Sequence, residues 1–391
     1  MTRSYKIYTL GCKLNYAESS TIARSMDEGG MRRAQRGEIA NKVVVNSCAV
    51  TAQSEKKTRE LIRRVVRENP NAEVVVTGCY AKLREPEILN IKGVTAVQTT
   101  KAITAWSYGE RTRSFLKVQD GCNYHCTYCT VWRARGISRN APIAEVVEQA
   151  EQIASRGVKE IVLTGVNTGD FGRSTGESFL ELLYALEAVD GIERYRISSI
   201  EPNLLTQEII EFCASSQKFM PHFHLPLQSG SNRILGGMGR RYNAQMFIDK
   251  VDAVRALIPN VFIGVDVIVG FPSESEQDFS DTVEVLKRVG ATFLHVFPYS
   301  QRPDTLAAEM VEQIPEPIKK ERVATLNKLS DELLSDFTER ELSKPQEVLV
   351  EGRARSGKLF GHTANYIRVE LDEGDDSLIG KVVRFRHNGQ N

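Results

Sequence analysis

The sequence predicts an α/β protein in three parts: an amino-terminal open parallel α/β domain over 1–108, a central partial (β/α)6 barrel over 112–343, and a small carboxyl-terminal β-barrel over 344–391. Two patterns carry this prediction. Short apolar runs alternate with runs of helical period through the first two parts, which is the signature of parallel strands joined by crossover helices. In the last part the apolar residues recur with period two between glycine-containing turns, as in a small β-barrel. A length of 391 residues suits two or three domains with full cores, and 41% hydrophobic with 26% charged residues is a globular composition.

The elements follow in order. "KIYTLGC", "KVVVNSCAVT" and "AEVVVTGCY" are strands, separated by the helical runs "AESSTIARSMDEGG" and "SEKKTRELIRRVVRENP". The second part supplies six strands: "SFLKVQDG", "EIVLTGVN", "YRISSIEP", "HFHLPLQSG", "FIGVDVIVGF" and "FLHVFPYS". Helices such as "PIAEVVEQAEQIASRG" and "DFSDTVEVLKRVGA" lie between them. A long helix, "PIKKERVATLNKLSDELLSDFTERELS", leads to Pro345 and the period-two tail.

Lys and Arg number 51 against 50 Asp and Glu, so no global basic charge announces a nucleic acid, and any such partner must be met by local patches. Lys56, Arg59, Arg63 and Arg67 share one helical face, opposite Leu61, Ile62, Val65 and Val66. Arg133, Arg135 and Arg139 follow a cysteine-rich loop and are the better candidates for tracking phosphates. Residues 346–391 hold seven basic and seven acidic residues, so RNA binding there would rest on shape and particular side chains. The start "MTRSYKIYTLGC" lacks a signal-peptide run, and no apolar segment approaches the roughly 20 residues of a membrane span. The expectation is a soluble cytoplasmic protein with no membrane partner.

Seven cysteines stand at 12, 48, 79, 122, 126, 129 and 213, an odd count that argues against a disulfide framework in such a chain. Cys12, Cys48 and Cys79 each end a predicted strand, and in an open parallel sheet those ends gather at one edge. Three thiols at equivalent ends favour a shared cluster over three small buried hydrophobes. Cys213 lies four residues after Ile209 on a helix and is assigned to core packing. His222 and His224 share one face of a strand, where a hydrogen-bonded barrel interior outweighs metal ligation.

"VQDGCNYHCTYCTVW" places Cys122, Cys126 and Cys129 in a C-x3-C-x2-C run after the first barrel strand, at the face where barrel active sites lie. A structural zinc would need a fourth ligand, and His125 is too close to Cys126 for both to reach one ion. A [4Fe–4S] cluster can be held by three thiolates, leaving one iron open for the amino and carboxylate groups of S-adenosylmethionine.

With Tyr128 before the last cysteine, this run resembles the radical S-adenosylmethionine superfamily. The likeness extends along nearly the whole chain. "YTLGCKLNYAES", "VVNSCAVTAQSEKKTRELIRR" and "VVVTGCYAK" resemble the amino-terminal domain of methylthiotransferases. "LTGVNTGDFG", "RISSIEP", "HLPLQSGSNRIL", "DVIVGFPSESEQDF" and "HVFPYSQRPDTLA" resemble that family's barrel strands in order, and the tail resembles its RNA-binding TRAM domain. The resemblance implies two [4Fe–4S] clusters, one on Cys122, Cys126 and Cys129 that generates a 5′-deoxyadenosyl radical, the other on Cys12, Cys48 and Cys79 that carries or delivers sulfur. It implies S-adenosylmethionine as methyl donor and radical source, an external electron donor, and a tRNA anticodon stem-loop as partner.

Gly165 and Asn167 match the place where the superfamily holds the methionine amino group, and Ile268 begins the adenine-facing "IVGFP". Ser199, Glu201, Gln228 and Ser229 close strands and suit ribose or carboxylate contacts. For each of these a turn role and a ligand contact stand level. Two departures lie near the expected active face: Thr130-Val131-Trp132 replaces an apolar pair and a proline, and Asp304 stands where glycine is usual. Three substrate branches are implied: threonylcarbamoyladenosine in tRNA, isopentenyladenosine in tRNA, and an aspartate of a ribosomal protein. "TLGCKLN" most resembles the first. A non-enzymatic Fe–S or RNA-binding module is disfavoured by the ordered strand-end motifs.

Overall fold

The computed structural model describes residues 3–99, 102–109, 111–372 and 374–386; the ends of the expected first and last parts, at 1–2 and 387–391, lie outside the described residues. The amino-terminal unit is built from β1 (Ser4–Thr9), α1 (Lys13–Glu28), β2 (Arg32–Arg33), β3 (Lys42–Ser47), α2 (Ala52–Glu68), β4 (Glu73–Gly78), α3 (Cys79–Leu83), α4 (Glu85–Leu89) and β5 (Ala96–Val97). Its five strands are all parallel, in the order β2-β1-β3-β4-β5. The valine runs of β3 and β4 are buried whichever way they point, because helices cover both faces of such a sheet. Helix α2 starts at Thr51, whose side chain accepts from the Ser54 N–H, and buries Thr58, Ile62 and Val65 against those strands.

The central unit runs from β6 (Ala105–Trp106) through β7 (Arg113–Lys117), β8 (Gln119–Asp120), α5 (Val131–Arg135), β9 (Arg139–Asn140), α6 (Ile143–Ala154), β10 (Glu160–Thr164), α7 (Phe179–Glu187), β11 (Arg194–Ile197), α8 (Gln207–Ser215), β12 (His222–Gln228), α9 (Asn232–Met238), α10 (Ala244–Leu257), β13 (Phe262–Val269), α11 (Glu276–Arg288) and β14 (Phe293–Pro298) to α12 (Leu306–Glu309) and α13 (Glu316–Leu342). Strands β7, β10 and β11 form one parallel run and β12, β13 and β14 another. The bridges Tyr195–Phe219 and Ser199–His224 join the two runs into a six-stranded open barrel. Two features differ from the expected pattern. An antiparallel strand, β6, lines the β7 edge, where α1 packs. The first expected strand also breaks after Lys117, and β8 pairs antiparallel with β9 to close the base of the cysteine loop. The opposite edge, β14, is covered by α13, whose Ser330 hydroxyl accepts from the Leu294 N–H.

The tail forms β15 (Gln346–Arg353), β16 (Leu359–Thr363), β17 (Arg368–Leu371) and β18 (Val382–Phe385). As expected, it is a small antiparallel β unit, in the order β17-β16-β15-β18, and among the described residues no ladder joins β17 to β18. Val348, Val350, Leu359, Ile367, Val369 and Leu371 form its core, and Phe262 and Phe337 of the central unit pack onto that core.

Candidate active site

The two cysteine trios form where the amino-terminal sheet meets the barrel. Gly11 and Gly78 take φ of +105° and +91°, and each precedes a cysteine. A Cβ on Gly11 would stand 2.9 Å from Cys48 Cβ, and one on Gly78 would stand 2.4 Å from the Ser47 carbonyl oxygen. Only glycine fits both the left-handed turn and the close approach, so these positions let three strand ends converge. Burial pushes the Cys48 thiol up and the Cys79 thiol up to about 11, with neighbouring thiols of the trio adding to each. In the barrel loop burial likewise raises Cys126, and lifts Cys122 to about 11 and Cys129 to about 12. Two backbone donors serve this loop: the Tyr124 N–H lies 3.3 Å from Cys122 Sγ, and the Val131 N–H 3.4 Å from Cys129 Sγ. Cys213 is buried in the main core, away from both trios.

Each trio has a guanidinium on one sulfur. Arg135 Nε lies 3.2 Å from Cys79 Sγ, and Arg240 Nη1 lies 3.2 Å from Cys126 Sγ. Arg240 also donates to the Tyr128 hydroxyl and pairs with Glu201. The expectation that Arg135 tracks phosphates is therefore corrected. Its side chain is nearly buried, paired with Glu18 and Asp120 at 2.9 Å each, and bonded to Asn15 at 2.8 Å. Arg139 pairs with Asp120, and Arg133 donates to the Asp304 carbonyl. Burial alone would raise Glu18 and Asp120. Arg135 and Lys117 outweigh it, holding Glu18 below its ordinary value and Asp120 at about 2.

The other strand-end residues divide into groups. Tyr128, Cys129, Gln228 and Ile268 line one cavity of about 270 Å³, together with Val50 and Thr51 of the amino-terminal unit. Gln228 holds φ +65° at the irregular end of β12, a strained placement for a residue with a side chain. Gly165 and Asn167 form a turn fixed by Gln119, a residue that belongs to none of the sequence motifs. Gln119 Oε1 accepts from the Val166 and Asn167 N–H groups at 2.9 Å, and its Nε2 donates to the Gly121 carbonyl at 2.8 Å. No local spacing marks it, since the two N–H groups it accepts from are 47 and 48 residues away. Ser199 does not face a ligand cavity freely: its hydroxyl lies 3.3 Å from His224 Nδ1, whose other nitrogen is 2.7 Å from Asp266. Ser229 is fully buried, with its hydroxyl near Thr282 and the Ser231 N–H, and serves the start of α9.

The residues fit the implied cofactors. Each site offers three cysteines, soft donors that suit an iron–sulfur cluster, and all six are free of disulfides. Both polar atoms of the buried Asn167 amide lack a partner, which leaves them for a bound polar group. A Cβ on Gly165 would stand 2.9 Å from Gln119 Oε1, so a side chain there would push on the group that fixes the turn.

Comparison with known proteins agrees. Residues 116–286 match the Radical SAM superfamily, and residues 4–99 match Uncharacterized protein family UPF0004. The chain is 36% identical to the threonylcarbamoyladenosine tRNA methylthiotransferase MtaB of Bacillus subtilis, covering 97% of this chain and 92% of that protein. It is 35% identical to the MtaB of Thermotoga maritima, covering 94% and 91%. It is 32% identical to the tRNA-2-methylthio-N(6)-dimethylallyladenosine synthase of Pelotomaculum thermopropionicum, covering 97% and 94%. In fold, it resembles the radical S-adenosylmethionine methyltransferase TsrM from Kitasatospora setae, with a TM-score of 0.60 at 14% identity over 79% of this chain and 77% of that one. No helix among the described residues is long and apolar enough to cross a membrane. Trios, barrel and full-length likeness lead to one conclusion: the chain belongs to the radical S-adenosylmethionine methylthiotransferases, a family of transferases that use S-adenosylmethionine and [4Fe–4S] clusters.

Proposed function

We propose that this enzyme places a methylthio group on carbon 2 of N6-threonylcarbamoyladenosine in the anticodon stem-loop of tRNA, with electrons from an external donor. The observation that carries this reading is full-length likeness, at 33–36% identity, to four proteins named for that reaction. Likeness to the dimethylallyladenosine synthases is lower, at 31–32%.

Cys122, Cys126 and Cys129 would hold one cluster, and Cys12, Cys48 and Cys79 the other. When bound, the clusters and S-adenosylmethionine supply the reductive radical chemistry and the sulfur that an unactivated aromatic C–H requires. The chain's own residues position and insulate. Arg240 and Arg135 each donate to a cysteine sulfur and bring a fixed positive charge to a thiolate site. Gln119 fixes the Gly165–Asn167 turn, so the Asn167 amide is preset for the amino or carboxylate group of S-adenosylmethionine. Ile268, Tyr128 and Gln228 would form the wall against its nucleoside end.

The test is nucleoside mass spectrometry on reconstituted enzyme given anticodon stem-loops carrying either threonylcarbamoyladenosine or isopentenyladenosine. The expected product is the methylthio derivative of the first. Product on isopentenyladenosine alone would overturn the reading.

A further inference from the structure

The barrel lumen is a cavity of about 650 Å³ lined by residues of all six parallel strands, the start of α1, α13 and the tail. Cys12 sits on its wall, so the lumen adjoins the amino-terminal trio. Among the described residues five cationic side chains line it, Lys13, Arg111, Arg113, Arg196 and Arg368, and no carboxylate does. Such a cavity suits an anion.

Four of the five cations are already engaged. Arg113 pairs with Glu351 at 3.0 Å and Arg196 with Glu160 at 2.8 Å. Arg368 pairs with Glu370 at 3.2 Å, and Arg111 lies over the Tyr16 and Phe115 rings. Lys13 has no ion pair and no side-chain hydrogen bond among the described residues. It is exposed and stands on the cavity wall. Lys13 also opens α1, whose start has no side-chain cap and no acidic residue in its first turn, so the helix end adds positive potential.

We propose that Lys13 is the specificity-determining cation of this enzyme and receives the carboxylate of the threonylcarbamoyl group in the barrel lumen. The proposal rests on the substrate reading above. Carbon 2 and N6 of adenine flank the same ring edge, so a base presenting carbon 2 to the Cys12 trio directs its N6 substituent toward the residue next to Cys12. An isopentenyl group there would leave the ammonium desolvated and unpaired, which selects against it. A backbone phosphate is the other source of an anion, and the experiment separates the two.

Anaerobically reconstituted enzyme, with iron content matched between variants, is titrated with two anticodon stem-loops. They are identical except that the threonine carboxyl is free in one and a neutral carboxamide in the other. Wild type is expected to bind the carboxylate form about ten- to a hundred-fold more tightly, the range for a hydrogen bond to a charged group. Lys13→Gln should bring that ratio close to one, and Lys13→Arg should keep most of it. An unchanged ratio in Lys13→Gln overturns the assignment. So does an equal loss for both RNAs, which would place a phosphate at Lys13. If the substrate reading itself fails, wild type forms no methylthio product on the threonylcarbamoyl stem-loop; failure of the Lys13 assignment alone leaves that product intact.

Discussion

Arg240 connects three of the sequence-predicted site residues through one guanidinium: it donates to Cys126 and Tyr128 and pairs with Glu201. Burial raises the Glu201 carboxyl, an effect that Arg240 only partly offsets, so both members of the pair depend on each other. Donors to cluster sulfurs raise a reduction potential, and changes in the groups that hold metal ligands commonly cost about 10–100-fold in activity. Arg240→Gln should therefore shift the barrel cluster to a more negative potential and slow S-adenosylmethionine cleavage by a factor of that order. A potentiometric titration followed by electron paramagnetic resonance measures the shift, and an unchanged potential would count against this role. Asp304 explains one of the departures from the family pattern. Its φ is +66°, the region glycine occupies without strain, and its carboxylate pairs with Arg84 at 3.2 Å. The other departure, Trp132, packs edge-on against His125 at 4.6 Å, within the cluster loop itself.

At the scale of elements, the loop that carries the barrel trio continues into α5, which packs on α3, the helix that begins with Cys79. Arg135 reaches that cysteine from the end of α5. A buried charge network locks the arrangement. Lys117 at the end of β7 meets Glu18 of α1 at 2.7 Å and Asp120 of β8 at 3.0 Å, and Arg135 meets both acids. Removing one member leaves buried charge uncompensated, so Glu18→Gln should destabilise the chain by about 3–5 kcal/mol at neutral pH. Glu18 titrates below its ordinary 4.5 when folded, so the unfolded chain holds that proton more tightly. Its contribution is then full above about pH 4.5 and is lost as pH falls through and below that value. Urea unfolding of wild type and Glu18→Gln should show a wide gap at pH 7 that narrows toward about pH 4; a constant gap would contradict the network. The trios make a separate expectation: alanine at Cys12, Cys48 and Cys79 should remove about four of about eight irons per chain. That variant should abolish methylthiolated nucleoside, and normal product from it would return those three thiols to mere packing.

At the scale of the molecule, the tail is joined to the barrel floor. Arg196 is 1% exposed, pairs with Glu160, and donates to the Ala364 and Thr363 carbonyls at 2.7 and 2.9 Å. Arg194 reaches the His362 carbonyl, and the Tyr366 ring lies beneath Arg113 and Arg196. A chain ending at residue 345 would expose Phe262 and Phe337 and strip Arg196 of two acceptors. It should bind a hydrophobic dye and unfold at lower denaturant than the full chain. Equal stability of the two would show that the sheet is an independent module. Loss of tRNA affinity on truncation is therefore informative only beside that stability measurement. Point changes at exposed tail cations such as Arg384 separate RNA contact from barrel support.

Periodicity and spacing in the sequence determined the parallel strands, their helices, the amphipathic face of α2 and the placement of six cysteines at strand ends and in one loop. These are local signals: valine runs, a 3.6-residue period, and glycines before Cys12 and Cys79 where only glycine can turn. Tertiary structure alone decided what surrounds the sulfurs. Arg240 is 114 residues from Cys126, Arg135 is 56 from Cys79, and Gln119 is 47 from Val166, so no short-range pattern joins them. It also decided that Arg135 is a buried ion-pair residue and not a phosphate contact, because its partners Glu18 and Asp120 come from different elements. The tail shows the same division. Its strands are legible in the period-two alternation, but that Phe262 and Phe337, from the central unit, complete its core is a contact no local pattern shows.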